Sequence, residues 1–176
     1  LAVVCVAQPA PHVQEAAIAR GAHCLDITVH PRHLRAVRAL HDRAAKAGST
    51  ILFTGFMPGI SSAMARYARD SMAALDSLDI ALCLAWEGEA ETARVRYFLD
   101  LFARPVPIVE DGKVRYVPAL SHGRRVEFLS PLGVKPTYLL ALPDQTILPE
   151  TLGVPVTCRF TFDNVAVTNA LAWLTK

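Results

Sequence analysis

Leu1 to Ala7 is a continuous apolar run rich in valine, the pattern of a strand covered on both faces in a parallel sheet. Gln8 and the prolines that follow end it. Val13, Ala16, Ala17 and Ala19 recur at helical spacing and Gly21 closes the pattern, so His23 to Thr28, carrying Leu25 and Ile27, becomes the next short strand. Leu34, Val37, Leu40, Ala44 and Ala47 then mark one helix. Its other positions hold Arg32, Arg35, Arg38, Arg43 and Lys46, and Gly48 stops it. Ser49 to Thr54 supplies a third strand. Strands alternating with helices predict right-handed crossovers and a parallel sheet.

After Thr54 the rhythm changes. Pro58-Gly59 introduces a helix running to about Leu75, with Ile60, Met64, Tyr67 and Ala68 on one side and Arg66, Arg69 and Asp70 on another. Leu78 to Trp86 predicts a long strand and Glu91 to Ala103 a helix. Val106 to Val109 and Val114 to Val117 flank Glu110-Asp111-Gly112-Lys113, a hairpin signal. Arg125 to Leu129, Thr137 to Leu142 and Val156 to Phe162 are strand-like, Gln145 to Leu152 a short helix, and Asp163 is placed to cap a last helix through Val165, Asn169 and Trp173. The expected fold is therefore α/β. Residues 1–56 form the C-terminal half of a Rossmann-like parallel sheet, residues 57–162 an α+β domain with a mixed, largely antiparallel sheet, and residues 163–176 a C-terminal helix.

Composition narrows the classes. The 176 residues are 52% hydrophobic and 19% charged, an ordinary mixture for a chain with a packed core. With 18 basic against 16 acidic side chains the formal charge is only +2 and the arginines alternate with acids, so nothing points to a nucleic-acid partner. No apolar run reaches the length of a membrane span, and Leu1 to Ala7 lacks the flanks of a signal peptide, which makes the cytoplasm the expected compartment. The four cysteines, Cys5, Cys24, Cys83 and Cys158, lie far apart in apolar segments, as buried reduced thiols do. The chain opens without methionine, directly in a strand-like run, which suggests that the beginning of the domain lies elsewhere.

In open α/β sheets ligands bind beyond the carboxyl ends of the strands. Ala7, Gln8 and Pro9 after the first strand and Asp26 and Thr28 after the second are thus candidate ligand contacts, or simply turn and cap residues. Gly55 to Ser62 is a glycine-containing connection that opens a helix, whose free N–H groups suit an anion, and it also reads as a hinge between domains. Among the nine glycines no two are spaced i and i+2, so the Gly-x-Gly-x-x-Gly phosphate turn is absent from this stretch. His30-Pro31-Arg32-His33 lacks a ligand set for a metal, and Glu87, Glu89 and Glu91 read as a solvated turn.

The segments Val3-Val4-Cys5-Val6-Ala7-Gln8-Pro9, Ala17 to Thr28 and Thr54-Gly55-Phe56-Met57-Pro58-Gly59-Ile60-Ser61-Ser62 resemble the saccharopine dehydrogenase-like NAD(P)-dependent oxidoreductases. So do Asp111-Gly112-Lys113, Gly123 to Phe128, Tyr138, Pro143 and Thr146-Ile147-Leu148. Met57 departs from the family, where Asp often precedes the Pro-Gly, and so does Val29-His30, where Gly-Glu is common. The resemblance implies NAD or NADP as cofactor, bordered by Ala7, Gln8, Pro9, Asp26, Thr28, Phe56, Pro58 and Gly59, and hydride transfer on an amino-acid-derived imine or secondary amine. It also implies a homodimer and a small-molecule substrate; the short apolar runs give no reason to expect a membrane partner. The substrate's carboxylates call for arginines in the second domain, so His122, Arg124, Arg125, Tyr138 and Arg159 are the candidates. These 176 residues alone, without a diphosphate cradle, are expected to be inactive. The competing expectation is a non-catalytic binding or self-association module.

Overall fold

The computed structural model describes every residue except 29, 87–91, 111–112 and 176, and of residues 31 and 92–94 the backbone only. The expected carboxylate turn at Glu87, Glu89 and Glu91 and the Asp111-Gly112 tip of the hairpin lie outside the described residues. The chain divides into two compact units, Leu1–Tyr67 and Ala68–Lys176, with the boundary inside a helix (α4, Ser61–Ser71) and not near residue 56.

The first unit is a three-stranded sheet of β1 (Ala2–Val4), β2 (Cys24–Asp26) and β3 (Ile51–Phe53), in that order and parallel throughout. Its crossovers are α1 (His12–Ala19) between β1 and β2, and α2 (Pro31–Arg38) with α3 (His41–Lys46) between β2 and β3. The single helix expected from Leu34 to Ala47 is thus two, broken at Ala39-Leu40 with no glycine or proline to announce it. Leu40 is buried against Ile18 and Ala44, while Val4, Ala17 and Cys24 form a neighbouring core cluster. Val3, Leu25 and Leu52 stand in register on the other face of the sheet, where Val3 is 60% and Leu52 53% exposed. The expectation of a sheet covered on both faces is corrected here: right-handed crossovers moving one way across the strands put every helix on the same side. Cys5 is likewise exposed, not buried, because β1 has already ended at Val4.

The second unit is α+β. Its four-stranded sheet has the order β4 (Leu78–Leu84), β9 (Val156–Phe162), β8 (Gly133–Leu139), β7 (Arg124–Phe128); the first pair is parallel and the others antiparallel. β5 (Val106–Glu110) and β6 (Lys113–Val117) make the expected antiparallel hairpin. Phe98 and Phe102 of α5 (Thr92–Phe102) pack on Phe160 of β9, with ring centroids 5.4 and 6.3 Å away. Gln145 of α6 (Asp144–Leu152) donates to the Pro107 carbonyl and accepts from Cys158 N at 3.1 Å, so its buried amide ties α6 to two strands. β8 begins four residues before the expected Thr137, because Gly133, at φ +63°, closes the turn from β7. α4 ends at Ser71, short of Leu75, since residues 72–74 are exposed and no packing holds a further turn. The last helix, α7 (Val165–Leu174), belongs to this unit: Thr168 Oγ1 accepts from Phe162 N at 2.8 Å. Asn164, not Asp163, caps it, accepting from Ala166 N and Val167 N. Asp163 instead accepts from Trp86 N at 2.8 Å and links the ends of β4 and β9.

Candidate functional site

The loops after β1, β2 and β3 leave one edge of the first unit's sheet, since Val4, Asp26 and Phe53 are the last residues of their strands and Asp26 pairs with both neighbours. Behind that edge lies a polar network. Asp26 is 0% exposed, and its Oδ1 accepts from Thr28 N at 2.8 Å, the local turn that an Asp at a strand end favours. Its Oδ2 accepts from Gln14 Nε2 and, at 2.9 Å, from His33 Nε2. An ionised carboxylate only accepts, so His33 carries its proton on Nε2, and the Gln14 and His33 nitrogens, 3.4 Å apart, are two donors converging on one oxygen. Burial by itself pushes the Asp26 carboxyl up, but the Thr28 and His33 bonds outweigh it and hold the group below its ordinary value.

The network continues to the surface through Gln8. Pro11, at the N-cap of α1, offers no side-chain cap; Gln8 Oε1 accepts from Val13 N at 3.2 Å while its Nε2 donates to Gln14 at 3.4 Å. The side chain of Gln8 is therefore tied inward, and Asp26 is sealed beneath Thr28. Of the other candidates, Ala7, Pro9 and Phe56 are exposed, Thr28 and Gly59 half-buried, and Pro58 buried behind a cis Met57-Pro58 bond. Gly59, at φ +142°, adopts a backbone that favours glycine and sits against the Thr54 backbone. His33, noticed in the sequence only as half of a poor metal pair, and Gln14, not noticed at all, turn out to hold this edge together. His30 caps α2 by accepting from Arg32 N at 3.3 Å.

In the second unit, three of the five candidate substrate residues, His122, Arg124 and Arg159, come together near Asp79. Arg159 extends from β9 with a side chain only 12% exposed; its Nη1 donates to the His122 carbonyl at 2.8 Å, and its Nε is buried without a hydrogen-bond partner. Asp79 of β4 stands 3.9 Å from that Nε and pairs directly with Arg124, whose side chain is 60% exposed. Two guanidinium groups thus share one carboxylate, an arrangement with positive charge to spare for an anionic group. His122 and Leu120 hold positive φ (49° and 56°), a left-handed backbone that costs energy in non-glycine residues and aims the His122 carbonyl at Arg159. Tyr138 donates to Asn169 Oδ1 at 3.1 Å, and its ring lies so close to Gly123 that a Cβ there would be 2.9 Å from Cε1. Arg125 alternates with Arg124 along β7, and Tyr138 pairs with Phe160 where the next residue, Leu139, pairs with Arg159, so both point to the other face, apart from this cluster. Asp79 escaped notice in the sequence; its one signal was a charge inside an otherwise apolar strand.

The fold thus defines a mixed α/β protein with a parallel sheet in one unit and a mixed sheet in the other. No helix among the described residues is long and apolar enough to cross a membrane. No protein-family model matches the chain, and no characterised protein matches it in sequence.

Proposed function

We propose that this chain belongs to an NAD(P)-dependent oxidoreductase of the saccharopine dehydrogenase-like type, transferring hydride to or from an amino-acid-derived imine or secondary amine. One observation carries the reading: the candidate nucleotide contacts lie on three consecutive loops that leave the carboxyl edge of a parallel sheet in sequential order, where open α/β sheets bind ligands. The residues suit the ring-and-ribose end of a dinucleotide. Phe56 offers an exposed ring, and Thr28, whose side chain bonds to Asp26, is half-buried. They do not suit its diphosphate, because prolines 9 and 11 remove backbone donors before α1 and Gln8 occupies the N–H of Val13. A nicotinamide, when bound, would supply or accept the hydride; within the first unit the Asp26 network holds the loops in place, and within the second Arg159 and Arg124 are the groups that would take a carboxylate.

The test is fluorescence titration with NADH and NADPH of this chain and of the complete product of its gene. Saturable binding by the gene product, weakened at least tenfold by Phe56→Ala, supports the reading and identifies the cofactor. If neither protein binds either nucleotide, the oxidoreductase assignment fails. The register-aligned apolar face of Val3, Leu25 and Leu52 favours the second reading, a self-association module, which sedimentation at micromolar concentration measures.

A further inference from the structure

The cluster of Arg124, Asp79 and Arg159 is one carboxylate short. Its two guanidinium groups are always charged, and they share the single carboxylate of Asp79. Asp79 stands on β4 and Arg124 on β7, the two outer strands of their sheet, and Asp79 Oδ2 accepts from Arg124 Nη1. Both side chains are exposed, so a solute carboxylate reaches this pair directly. Arg159 of β9 is held differently. Its Nη1 donates to the His122 carbonyl at 2.8 Å, which anchors the guanidinium, while its Nε is buried and donates to no acceptor. A buried donor left unpaired is rare in native structures and costs the desolvation of its N–H. Asp79 Oδ1 lies 3.9 Å from this Nε, about 1 Å beyond the length of a charge-assisted hydrogen bond.

We propose that a carboxylate ligand binds here by an exchange of partners, in which it takes Arg124 from Asp79 and Asp79 turns onto the unpaired Nε of Arg159. Arg124 trades one carboxylate for another, and the buried Nε gains the acceptor it lacks. The exchange also sets the charge of the ligand. With Asp79 on Arg159, one negative charge on Arg124 completes two pairs of opposite sign, whereas a compact dianion leaves a charge over. Arg124 is thus the group that touches the ligand, and Asp79 is a positioning residue that selects a single carboxylate over malonate or phosphate. This inference rests on the reading of Arg124 and Arg159 as the groups for a substrate carboxylate, and adds to it the charge of the ligand and the part of Asp79.

The test is a titration of the whole chain, isotope-labelled, with acetate and with malonate at neutral pH and constant ionic strength, following the arginine Nε–H resonances. Acetate is expected to move the signals of Arg124 and Arg159 together, that of Arg159 downfield as its Nε–H gains an acceptor, and malonate to bind no tighter than acetate. Arg124→Gln should abolish both shifts. Asp79→Asn, which keeps the shape and removes the charge, should make the chain prefer malonate to acetate by at least tenfold. Both substituted side chains are exposed, so neither change enters the core. The exchange is overturned if acetate moves Arg124 and leaves Arg159 unmoved, if the unsubstituted chain prefers malonate, or if Asp79→Asn leaves the preference unchanged; Arg124 then still stands as a carboxylate group. Absence of any acetate shift at Arg124 overturns the exchange together with that role of the arginines, while the nucleotide titration decides the oxidoreductase reading separately.

Discussion

At the scale of single residues, Asp26 is the group on which most depends. Removing a donor from a buried carboxylate leaves it short of partners, and hydrogen bonds to charged groups contribute about 1.5–3 kcal/mol. His33→Ala and Gln14→Ala should each lower unfolding stability by that order, which denaturant titration measures. The pH dependence has a definite sign. The folded carboxyl is held below its unfolded value, so its stabilisation is complete above the ordinary carboxylate range and disappears as pH falls through that range toward the folded value. Asp26→Asn should therefore destabilise the chain at neutral pH and flatten this acid limb in thermal melts between about pH 2 and 5. The thiols differ in the same physical terms. Burial pushes up Cys24, Cys83 and Cys158, whereas Cys5 is exposed, so at pH 8 a thiol reagent should label Cys5 first and reach Cys24 and Cys158 only on unfolding. That a strand ends about Asp26 was legible in the sequence, although it stops two residues short of the expected Thr28; that Asp26 would be sealed by Gln14 and His33 was not, because those partners come from two different helices.

At the scale of elements, local chemistry was the best guide. The strand Val156–Phe162 and the hairpin of β5 and β6 follow directly from period and turn residues. The boundaries that moved were those where packing, not propensity, decides. α4 stops where its residues lose contact with a core, and α3 separates from α2 so that Leu40 can turn inward. The cap of α7 shows the limit of a one-letter signal. Asp163 and Asn164 are both good caps, and the choice falls to Asn164 because Asp163 is already engaged with Trp86 N. Asn164→Ala should cost about 1 kcal/mol, measured as a fall in the thermal midpoint. Gly123→Ala should cost about 1–3 kcal/mol, since the new methyl meets the Tyr138 ring and not open solvent.

At the scale of the whole molecule, each unit builds its own core on its own sheet, and the two sheets differ in kind. In the first unit the asymmetry between the faces has a measurable consequence. Leu34, on the buried side of α2, should cost about 2–5 kcal/mol on truncation to Ala. Leu52, on the bare face, should tolerate Lys within about 0.5 kcal/mol and improve solubility. Equal losses at the two positions in denaturant titration would mean that the second face is covered in solution.

The sequence by itself determined most of the elements and their order, though not the division of α2 from α3, and the parallel character of the first sheet and the mixed character of the second, because hydrophobic period and turn chemistry act between residues a few positions apart. Only the tertiary structure decided which polar groups pair. It brought Gln14 and His33 to Asp26, and Asp79 to Arg124 and Arg159, across separations of 7 to 45 residues for the bonded pairs. It also decided that Arg125 faces away and that one face of the first sheet lies bare. The reason is physical: a carboxylate or a sheet face takes whatever partner the folded chain carries to it, and that is set by crossover direction and packing, which no local pattern encodes.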